Sequence, residues 1–369
     1  MLDKQSFTKL TFFRGRVALY AILKAMGIGK DDQVAIQAFT CLAVPEAVMA
    51  NGARPVYIDI EASSFNMDPV DLAKKITPKT KAVVIQHTFG IPVNMDAIIS
   101  LATKLNIPII EDCCHALLCS YNGRRLGTFG VASFYSFEWG KPLVAGLGGS
   151  ATVNNPELLL KIETDYKNYG MPGLMTKLKI QLQYLAFSIF YKPSAYWFVK
   201  DTFHKLSSLG LLKSNYNPIS DNNMSEDFSY KMPNFLKRRL IRKIKNIEKH
   251  AEHSRYVASE YKRRIKSRAL SHPKEMPGSE IIYVRYPLLT RNKEQLLRDA
   301  RLANIEISDW YYTPVHPLKQ EEWHLVGYRA GSCPNAESVS RQVVTLPTNE
   351  KVAKKDIDRI IEFLNTAKI

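Results

Sequence analysis

The sequence predicts an α/β fold with a mostly parallel central sheet. Over the first 150 residues, short apolar runs that suit strands alternate with amphipathic stretches that suit helices. The runs are residues 34–36, 56–58, 82–85 and 107–110. Such alternation places helices on the faces of a sheet whose strands run in one direction. With 369 residues the chain is long for one hydrophobic core, so we expect two domains.

The spacing of apolar residues predicts three further features. A first helix spans about residues 17–26, and its apolar face serves core packing. A long basic helix begins near Asn234 and carries one apolar stripe, made of Leu236, Leu240, Ile244, Ile247 and Ala251. A last helix, at about residues 354–364, follows a strand near residues 343–344. We therefore expect a large domain at residues 1–240, with an insertion at about 174–225, and a small C-terminal domain at 241–369.

The composition is that of a globular protein from a reducing compartment. Hydrophobic residues make up 46% of the chain, which excludes a disordered protein. The five cysteines are odd in number and lack paired metal-ligand spacing, so we expect neither a disulfide framework nor a metal site. Charged residues interrupt the apolar ones over the first 16 positions, which argues against a signal peptide. We therefore expect a cytoplasmic protein.

The chain is strongly basic, with a formal net charge of +16. Basic proteins are attracted to nucleic acids, anionic membranes and phosphorylated substrates. Thirteen basic residues fall between residues 237 and 268, but neither a nucleic-acid-binding module nor interleaved aromatic residues accompany them. We interpret this stretch as the solvated face of a helix and expect no nucleic-acid partner.

A lysine in a glycine-rich context indicates covalent cofactor chemistry. Lys141 follows Ser136 by five positions and precedes glycines at 146, 148 and 149. A lysine amine in such a strand-to-turn segment can hold an aldehyde cofactor as a Schiff base. An isolated lysine is more often a solvated surface charge, so the residues upstream decide the interpretation.

Two upstream motifs offer partners for the other parts of such a cofactor. Asp112 follows the apolar run 107–110, at the carboxyl end of a strand, where parallel α/β sheets bind ligands. A carboxylate there can pair with a protonated pyridine nitrogen and keep the ring an electron sink. Gly15 and Arg16 open the first helical pattern, and the backbone amides of a helix start suit a phosphate. Aldehyde, pyridinium and phosphate thus each have a candidate partner.

In this order the motifs resemble the DegT/DnrJ/EryC1/StrS family of PLP-dependent sugar aminotransferases. The resemblance covers most of the chain and includes segments 52–59, 76–82, 87–90 and 333–337. It implies fold type I of the PLP enzymes, with a large domain around a mostly parallel sheet and a smaller C-terminal α+β domain. It also implies transfer of an amino group from an amino acid, commonly glutamate, to a keto sugar carried on a nucleotide. Amino-sugar, polysaccharide or glycolipid biosynthesis is the expected setting.

The resemblance also assigns roles to residues around the cofactor. Lys141 carries pyridoxal 5′-phosphate and moves the proton in each half-reaction, between which the cofactor is in its PMP form. Asp112 binds the pyridine nitrogen, and Ser136 binds the phosphate together with the amides of Gly15 and Arg16. His115 lies near the ring hydroxyl, although a buried structural histidine is an equally open interpretation.

Three more positions follow from the resemblance. Lys231 is expected to reach the cofactor phosphate of the neighbouring subunit in a homodimer with shared sites. His316 lines the sugar pocket or is an ordinary loop histidine. Cys41 stands where relatives often place an aromatic residue over the cofactor ring, and it can pack there without stacking. Pro142 and Leu147 also depart from the usual pattern around the lysine.

Two alternative functions stay open. PMP-dependent sugar dehydratases and deoxygenases resemble this fold but replace the lysine with histidine, so Lys141 argues against them. A non-catalytic, membrane-associated or regulatory protein on the same scaffold is the other alternative. The departures at Cys41 and Leu147 are the only indications of it.

The stretch from Leu174 to Leu212 interrupts the family pattern. It contains one acidic residue, Asp201, with eight aromatic residues and five lysines. Its longest uncharged run, residues 180–191, is shorter than the roughly 20 residues that span a bilayer. With Pro193 dividing it into two helices, it suits a hairpin on an anionic membrane surface at the inner face, inserting Trp197 and Phe198. A lid over the active site and an element buried against a dimer partner are the alternatives.

Overall fold

The computed structural model describes residues 4–208 and 225–367. In this part of the chain the helices are α1 (Lys4–Lys9), α2 (Gly15–Ala25), α3 (Ala43–Ala50), α4 (Pro69–Lys75), α5 (Met95–Lys104), α6 (Pro156–Tyr166), α7 (Leu174–Phe190), α8 (Tyr196–Ser208), α9 (Asn234–Ile244), α10 (Ile247–Arg264), α11 (Lys293–Leu302), α12 (Pro334–Gln342) and α13 (Lys354–Thr366). The strands are β1 (Leu10–Phe12), β2 (Gln33–Gln37), β3 (Thr40–Cys41), β4 (Arg54–Ile58), β5 (Ile60–Glu61), β6 (Asn66–Met67), β7 (Thr80–Gln86), β8 (Ile109–Asp112), β9 (Ser120–Tyr121), β10 (Arg124–Arg125), β11 (Ala132–Ser136), β12 (Gly149–Val153), β13 (Ser279–Glu280), β14 (Arg285–Leu289), β15 (Val315–His316) and β16 (Val343–Pro347).

Seven strands form the central sheet, in the order β1-β12-β11-β8-β7-β2-β4. The pairings from β11 to β4 are parallel, and β12 and β1 add an antiparallel edge. The predicted α/β class with a mostly parallel sheet is confirmed. The four apolar runs correspond to β2, β4, β7 and β8, whose central residues, such as Ile36 and Ile110, are fully buried. Their side chains enter the core between the sheet and its helices.

A second, smaller layer contains the antiparallel pair β14 and β16, with Tyr286 opposite Leu346. The last helix, α13, buries Ile357, Ile360 and Leu364 and packs beside α10. The predicted final helix and the strand before it are therefore present. This part of the chain is α+β, as expected.

The long basic helix predicted from Asn234 is in fact two helices. The apolar stripe is buried as predicted, but α9 ends at Ile244 and α10 begins at Ile247. Between them the N–H of Asn246 donates to the carbonyl of Lys243, which closes a turn rather than a continuing helix. Asn246 lies outside both helices, where asparagine is more favourable than in a helix interior. The predicted domain boundary after residue 240 lies within α9, and the division stays a prediction.

Two contacts fix C-terminal segments to the N-terminal part of the chain. Strand β15 pairs in parallel with β3, so that His316 lies opposite Cys41. The carboxylate of Asp59 accepts the N–H groups of Asn335 and Ala336 at 3.0 and 2.9 Å, in the first turn of α12. An acceptor at that position satisfies amides that have no partner within the helix.

The insertion forms α7 and α8, with the helix broken at Pro193 as predicted. Within the two described ranges, none of the helices combines the length and the hydropathy needed to cross a membrane. The rest of the predicted insertion, residues 209–224, lies outside the described residues, and so does the end of the membrane-binding stretch at Leu212.

Candidate active site

A cavity of about 650 Å³ opens at the carboxyl ends of three neighbouring parallel strands. Gln86, Asp112 and Ser136 are the last residues of β7, β8 and β11, and all three line it. Strand ends meet at one edge of a parallel sheet, which is why residues far apart in sequence converge here. Every predicted site residue except Lys231 lines this cavity: Gly15, Arg16, Cys41, Asp112, His115, Ser136, Lys141 and His316.

Lys141 and His115 are in direct contact, with 3.1 Å between Nζ and Nε2. The other ring nitrogen of His115, Nδ1, faces the backbone N–H of Phe89 at 3.3 Å and must accept from it. Burial lowers the pKa of His115 well below its usual range, so the ring is neutral and its proton is on Nε2. The contact with Nε2 positions Nζ of Lys141 within the cavity. An amine at that position can react with an aldehyde bound there.

Asp112 is buried at the floor of the cavity, and its Oδ1 accepts the N–H of Cys114 at 2.9 Å. Burial raises the pKa of Asp112, while the Cys114 hydrogen bond and the charge of Lys141 oppose the rise. A buried carboxylate is best stabilised by a cation that joins it. A protonated pyridine nitrogen would supply that charge.

The phosphate end of the site is built around Gly15. A Cβ at Gly15 would lie 3.1 Å from Cβ of Ser136, and a Cβ at Gly149 would lie 2.5 Å from Cα of Gly15. The start of α2 is thus pressed against the ends of β11 and β12, with its first amides beside the Ser136 side chain. Buried Nε of Arg16 has no hydrogen-bond partner among the described residues. A helix start, a hydroxyl and a buried donor together fit a phosphate.

Two buried arginines support this end of the site, an arrangement that the sequence did not reveal. Arg14 donates from Nε to Asp227 at 2.9 Å and forms an ion pair with Glu138 at 3.0 Å. Arg16 donates to Glu46 at 2.6 Å and lies 3.6 Å from Asp227. Burial alone would lower the pKa of Arg14, but the two carboxylates that it contacts raise it. The spacing Arg14-Gly15-Arg16 was the available signal, although the carboxylates come from distant segments.

An aromatic wall closes the opposite side. The rings of Trp310 and His115 are 4.8 Å apart, and Nζ of Lys141 lies 5.2 Å from the Trp310 ring. Tyr311 is fully buried and brings its hydroxyl within 3.5 Å of Nε2 of His115. Sequence reasoning missed both residues. Three consecutive aromatic residues at 310–312, shortly before His316, were the signal that could have found them.

His316 and Lys231 have different surroundings. His316 is buried beside Tyr312, with ring centroids 4.5 Å apart, and burial lowers the pKa of His316 to about 3. It is therefore part of the cavity wall. Lys231 donates instead to the carbonyl of Lys167 at 3.2 Å and does not line the cavity of its own chain. Its role toward a neighbouring subunit stays a prediction.

The insertion packs against its own chain and lines the cavity through Tyr196, Lys200 and Phe203 of α8. Trp197 was predicted to enter a membrane, but its indole N–H donates to the carbonyl of Ile305 at 2.8 Å. The C-terminal part of the chain supplies the acceptor for this N–H, and entry of Trp197 into a membrane stays a prediction. Phe198, the neighbouring ring, is 70% exposed. For α8 the arrangement matches the lid alternative.

One group of potential metal ligands lies beside the site: His87, Glu111 and Cys113, with ligand atoms within 4.8 Å of one another. Glu111 already accepts the N–H groups of Gly127, Phe129 and Gly130. Burial raises the pKa of Cys113 well above its usual range, which disfavours the thiolate that a metal needs. These hydrogen bonds indicate that Glu111 and its neighbours support the loop after residue 126.

The chain is similar to known proteins in sequence and in fold. The model of the DegT/DnrJ/EryC1/StrS aminotransferase family matches residues 9–189 and 198–365. A pleiotropic regulatory protein of Geobacillus stearothermophilus is 27% identical over 95% of this chain and 83% of its own length. A dTDP-3-amino-3,6-dideoxy-alpha-D-galactopyranose transaminase of Aneurinibacillus thermoaerophilus is also 27% identical, with the same coverage.

A solved structure shares the fold. It is the PMP form of a putative sugar aminotransferase, Spr1654, from Streptococcus pneumoniae, with a TM-score of 0.76 and 20% identity. The match covers 98% of this chain and 89% of that one.

Proposed function

Because the chain belongs to the DegT/DnrJ/EryC1/StrS aminotransferase family, we propose that it aminates a keto sugar carried on a nucleotide. As a member it is a PLP-dependent aminotransferase. The amino group comes from an amino acid, and glutamate is the proposed donor. The observation that carries the proposal is the contact between Lys141 and His115 in the cavity that Asp112 and Ser136 also line. The name of the dTDP-sugar transaminase relative supports the substrate class.

Each conserved part of the chemistry has a candidate residue. When bound, PLP supplies an aldehyde and an electron-withdrawing ring that stabilises negative charge at the substrate's Cα. Asp112 would keep the ring nitrogen protonated, and Ser136 with the amides of Gly15 and Arg16 would hold the phosphate. Cys41 would pack near the ring on the side of β3.

Lys141 is the proposed proton carrier in both half-reactions. Its Nζ would move the proton to and from the substrate carbon that loses or gains the amino group. The contact with Nε2 of His115 holds Nζ of Lys141 in the cavity. Trp310 covers the amine on one side and helps to exclude water.

The test is to incubate the PMP form with dTDP-, UDP- and GDP-linked keto sugars and with one lipid-linked keto sugar. Amination returns the cofactor to its PLP form, whose visible absorbance reports the turnover. Glutamate added to the PLP form should remove the same band. A protein that keeps its visible band unchanged with every amino donor would be the regulatory alternative, which the name of the Geobacillus relative favours. Sugar dehydration without amination would support the dehydratase alternative.

The proposal includes a homodimer with shared sites, in which Lys231 reaches the neighbour's cofactor phosphate. Its support is that Lys231 faces away from the cavity of its own chain. Mixing Lys141→Ala and Lys231→Ala subunits should restore part of the activity, since one of the two sites in each heterodimer is then intact. If the mixture stays inactive although heterodimers form, Lys231 has no shared-site role.

We also propose a cytoplasmic enzyme that binds the inner membrane face peripherally through α7. The outer face of α7 is apolar and exposed at Leu174, Leu178, Leu182, Leu185 and Ile189. Their spacing of three or four residues puts them on one side of the helix. The net charge of +16 would add attraction to an anionic surface.

Flotation with phosphatidylglycerol liposomes tests this part. The triple variant Leu178→Ser, Leu182→Ser, Leu185→Ser should stay in the soluble fraction, whereas the intact protein floats. Leu160→Ser, on α6 and 66% exposed, is the matched control and should float normally. If intact and triple-variant proteins float equally, or neither floats, the membrane role is wrong. Loss of dimers in the triple variant would then assign the face to a subunit interface.

A further inference from the structure

A second cavity, of about 430 Å³, adjoins the active-site cavity. Gly140, Lys141, Tyr196 and Arg285 line both, so the two spaces meet at the lysine. The volume is in the range of cavities that hold small-molecule ligands. None of the residues assigned above to the cofactor, other than Lys141, lines this second space.

One wall of the second cavity is aromatic and comes from the insertion. This wall contains Tyr184 and Phe187 of α7, and Tyr191, which directly follows that helix. The rings of Phe187 and Tyr191 stack with centroids 4.7 Å apart, and Phe187 packs on Trp139 at 4.5 Å. The insertion therefore builds an ordered aromatic surface that continues toward the lysine.

Cationic residues line the cavity beside this aromatic wall. Lys351 donates from Nζ to the carbonyls of Ser188 at 3.1 Å and Tyr191 at 2.9 Å, which leaves the third donor of the ammonium group for another acceptor. Lys243 lies 3.9 Å from Glu350, a long ion pair. His250 also contacts Glu350, which is 41% exposed. Arg285 is paired with Glu306 at 3.0 Å. Two lysines thus face the cavity with one partly exposed carboxylate between them.

We propose that this second cavity binds the diphosphate through which the acceptor sugar is attached to its carrier. The inference rests on the proposed function, since the keto carbon must reach Lys141 while the rest of the acceptor lies beyond it. Lysine ammonium groups bind phosphate as point charges. The adjoining rings offer a flat apolar surface to whatever the diphosphate carries.

The same diphosphate chemistry occurs on nucleotides and on polyprenyl lipids. An aromatic wall suits a stacked base, whereas the exposed apolar face on the outer side of α7 suits a lipid chain. UDP and geranyl diphosphate are the two probes that distinguish these sources. Tighter binding of one probe identifies the carrier class, and equal affinity assigns the binding to the diphosphate alone.

Isothermal titration calorimetry of the PLP-loaded protein with each probe is the test. Lys243→Met and Lys351→Met should each raise the Kd of the more tightly bound probe about tenfold or more. Added salt should weaken the binding of that probe to the wild type. Glu350→Gln should strengthen it, because a competing carboxylate is removed. Lys245→Met makes the same charge change at an exposed position beside α9 and should bind like the wild type.

Lys351 also holds the end of α7, so Lys243→Met and Glu350→Gln keep the test decisive if Lys351→Met fails to fold. Wild-type affinity in Lys243→Met and Glu350→Gln, or no binding of either probe, would overturn the proposal. If those variants bind normally while the wild type aminates a nucleotide-linked sugar, the proposed function stands without this site. If the lysines control binding but no sugar is aminated, the site stands and the proposed function falls.

Discussion

Nζ of Lys141 lies 3.1 Å from Nε2 of His115, and a backbone N–H on the other side of the ring fixes which ring nitrogen holds the proton. The backbone N–H of Phe89 occupies the acceptor side of the imidazole, so the ring donates toward the lysine. We therefore propose that His115, which the sequence left open as either a cofactor contact or a structural histidine, positions the amine of Lys141.

We expect Lys141 to carry the cofactor. Borohydride reduction of the PLP-loaded protein followed by peptide mapping should recover the pyridoxyl label on Lys141. Lys141→Ala should lose transamination and keep its fold, because a residue lining an open cavity contributes little packing. A label on Lys81 or Lys231 would contradict the assignment.

Replacing His115 tests the hydrogen bond to the lysine. His115→Phe should lower turnover about 100-fold, the scale of general acid–base contributions, and slow the labelling of Lys141 by pyridoxal phosphate at neutral pH. His115→Gln should recover part of both, because an amide can accept from Phe89 and donate to the amine. Equal labelling rates in the wild type and in His115→Phe would show that His115 contributes only packing.

Asp112→Asn should retain cofactor but lose most of its turnover. A neutral amide cannot hold the pyridine nitrogen protonated, so negative charge at Cα loses its stabilisation. Equilibrium dialysis measures the bound cofactor and stopped-flow absorbance measures the donor half-reaction. Near-normal rates in this variant would remove Asp112 from the proposed mechanism.

Asp227→Asn should destabilise the protein by about 3–5 kcal/mol, because it leaves buried Arg14 and Arg16 without a carboxylate that both contact. Asp165→Asn breaks the exposed pair with Lys24 and should cost less than about 1 kcal/mol. Urea unfolding at pH 7 compares the two. Similar losses in both variants would show that the buried network adds no special stability.

Acid should destabilise the protein partly through His316, whose pKa burial lowers to about 3. Between the unfolded value of about 6.5 and that value, the unfolded chain binds a proton that the folded chain does not. Stability then falls with decreasing pH by up to about 1.4 kcal/mol per pH unit from this group.

His316→Gln should flatten that slope. His324→Gln, at an exposed position, should leave it unchanged. Unfolding by urea at pH 4.5, 5.5 and 6.5 measures both. An unaltered slope in His316→Gln would mean that other buried groups account for the acid sensitivity.

Local patterns were sufficient for the strands, the last helix and the break at Pro193, because each depends on residues close together in the chain. The single long helix from Asn234 was wrong, since a turn at Asn246 interrupts a stripe that stays in register on both sides. No local pattern placed the indole N–H of Trp197. It donates to the carbonyl of Ile305, which lies 108 residues further along.

The sequence by itself determined the fold class and the family, because motif order and apolar periodicity are written along the chain, and it predicted the residues proposed for the chemistry. Only the tertiary structure decided that Asp227 contacts both arginines beside Gly15, that Trp310 and Tyr311 close the site, and that α7 forms a wall of a second cavity. Those relationships join segments far apart in sequence. Their distances follow from how the sheet edge, the insertion and the C-terminal layer pack together, and no local pattern encodes that packing.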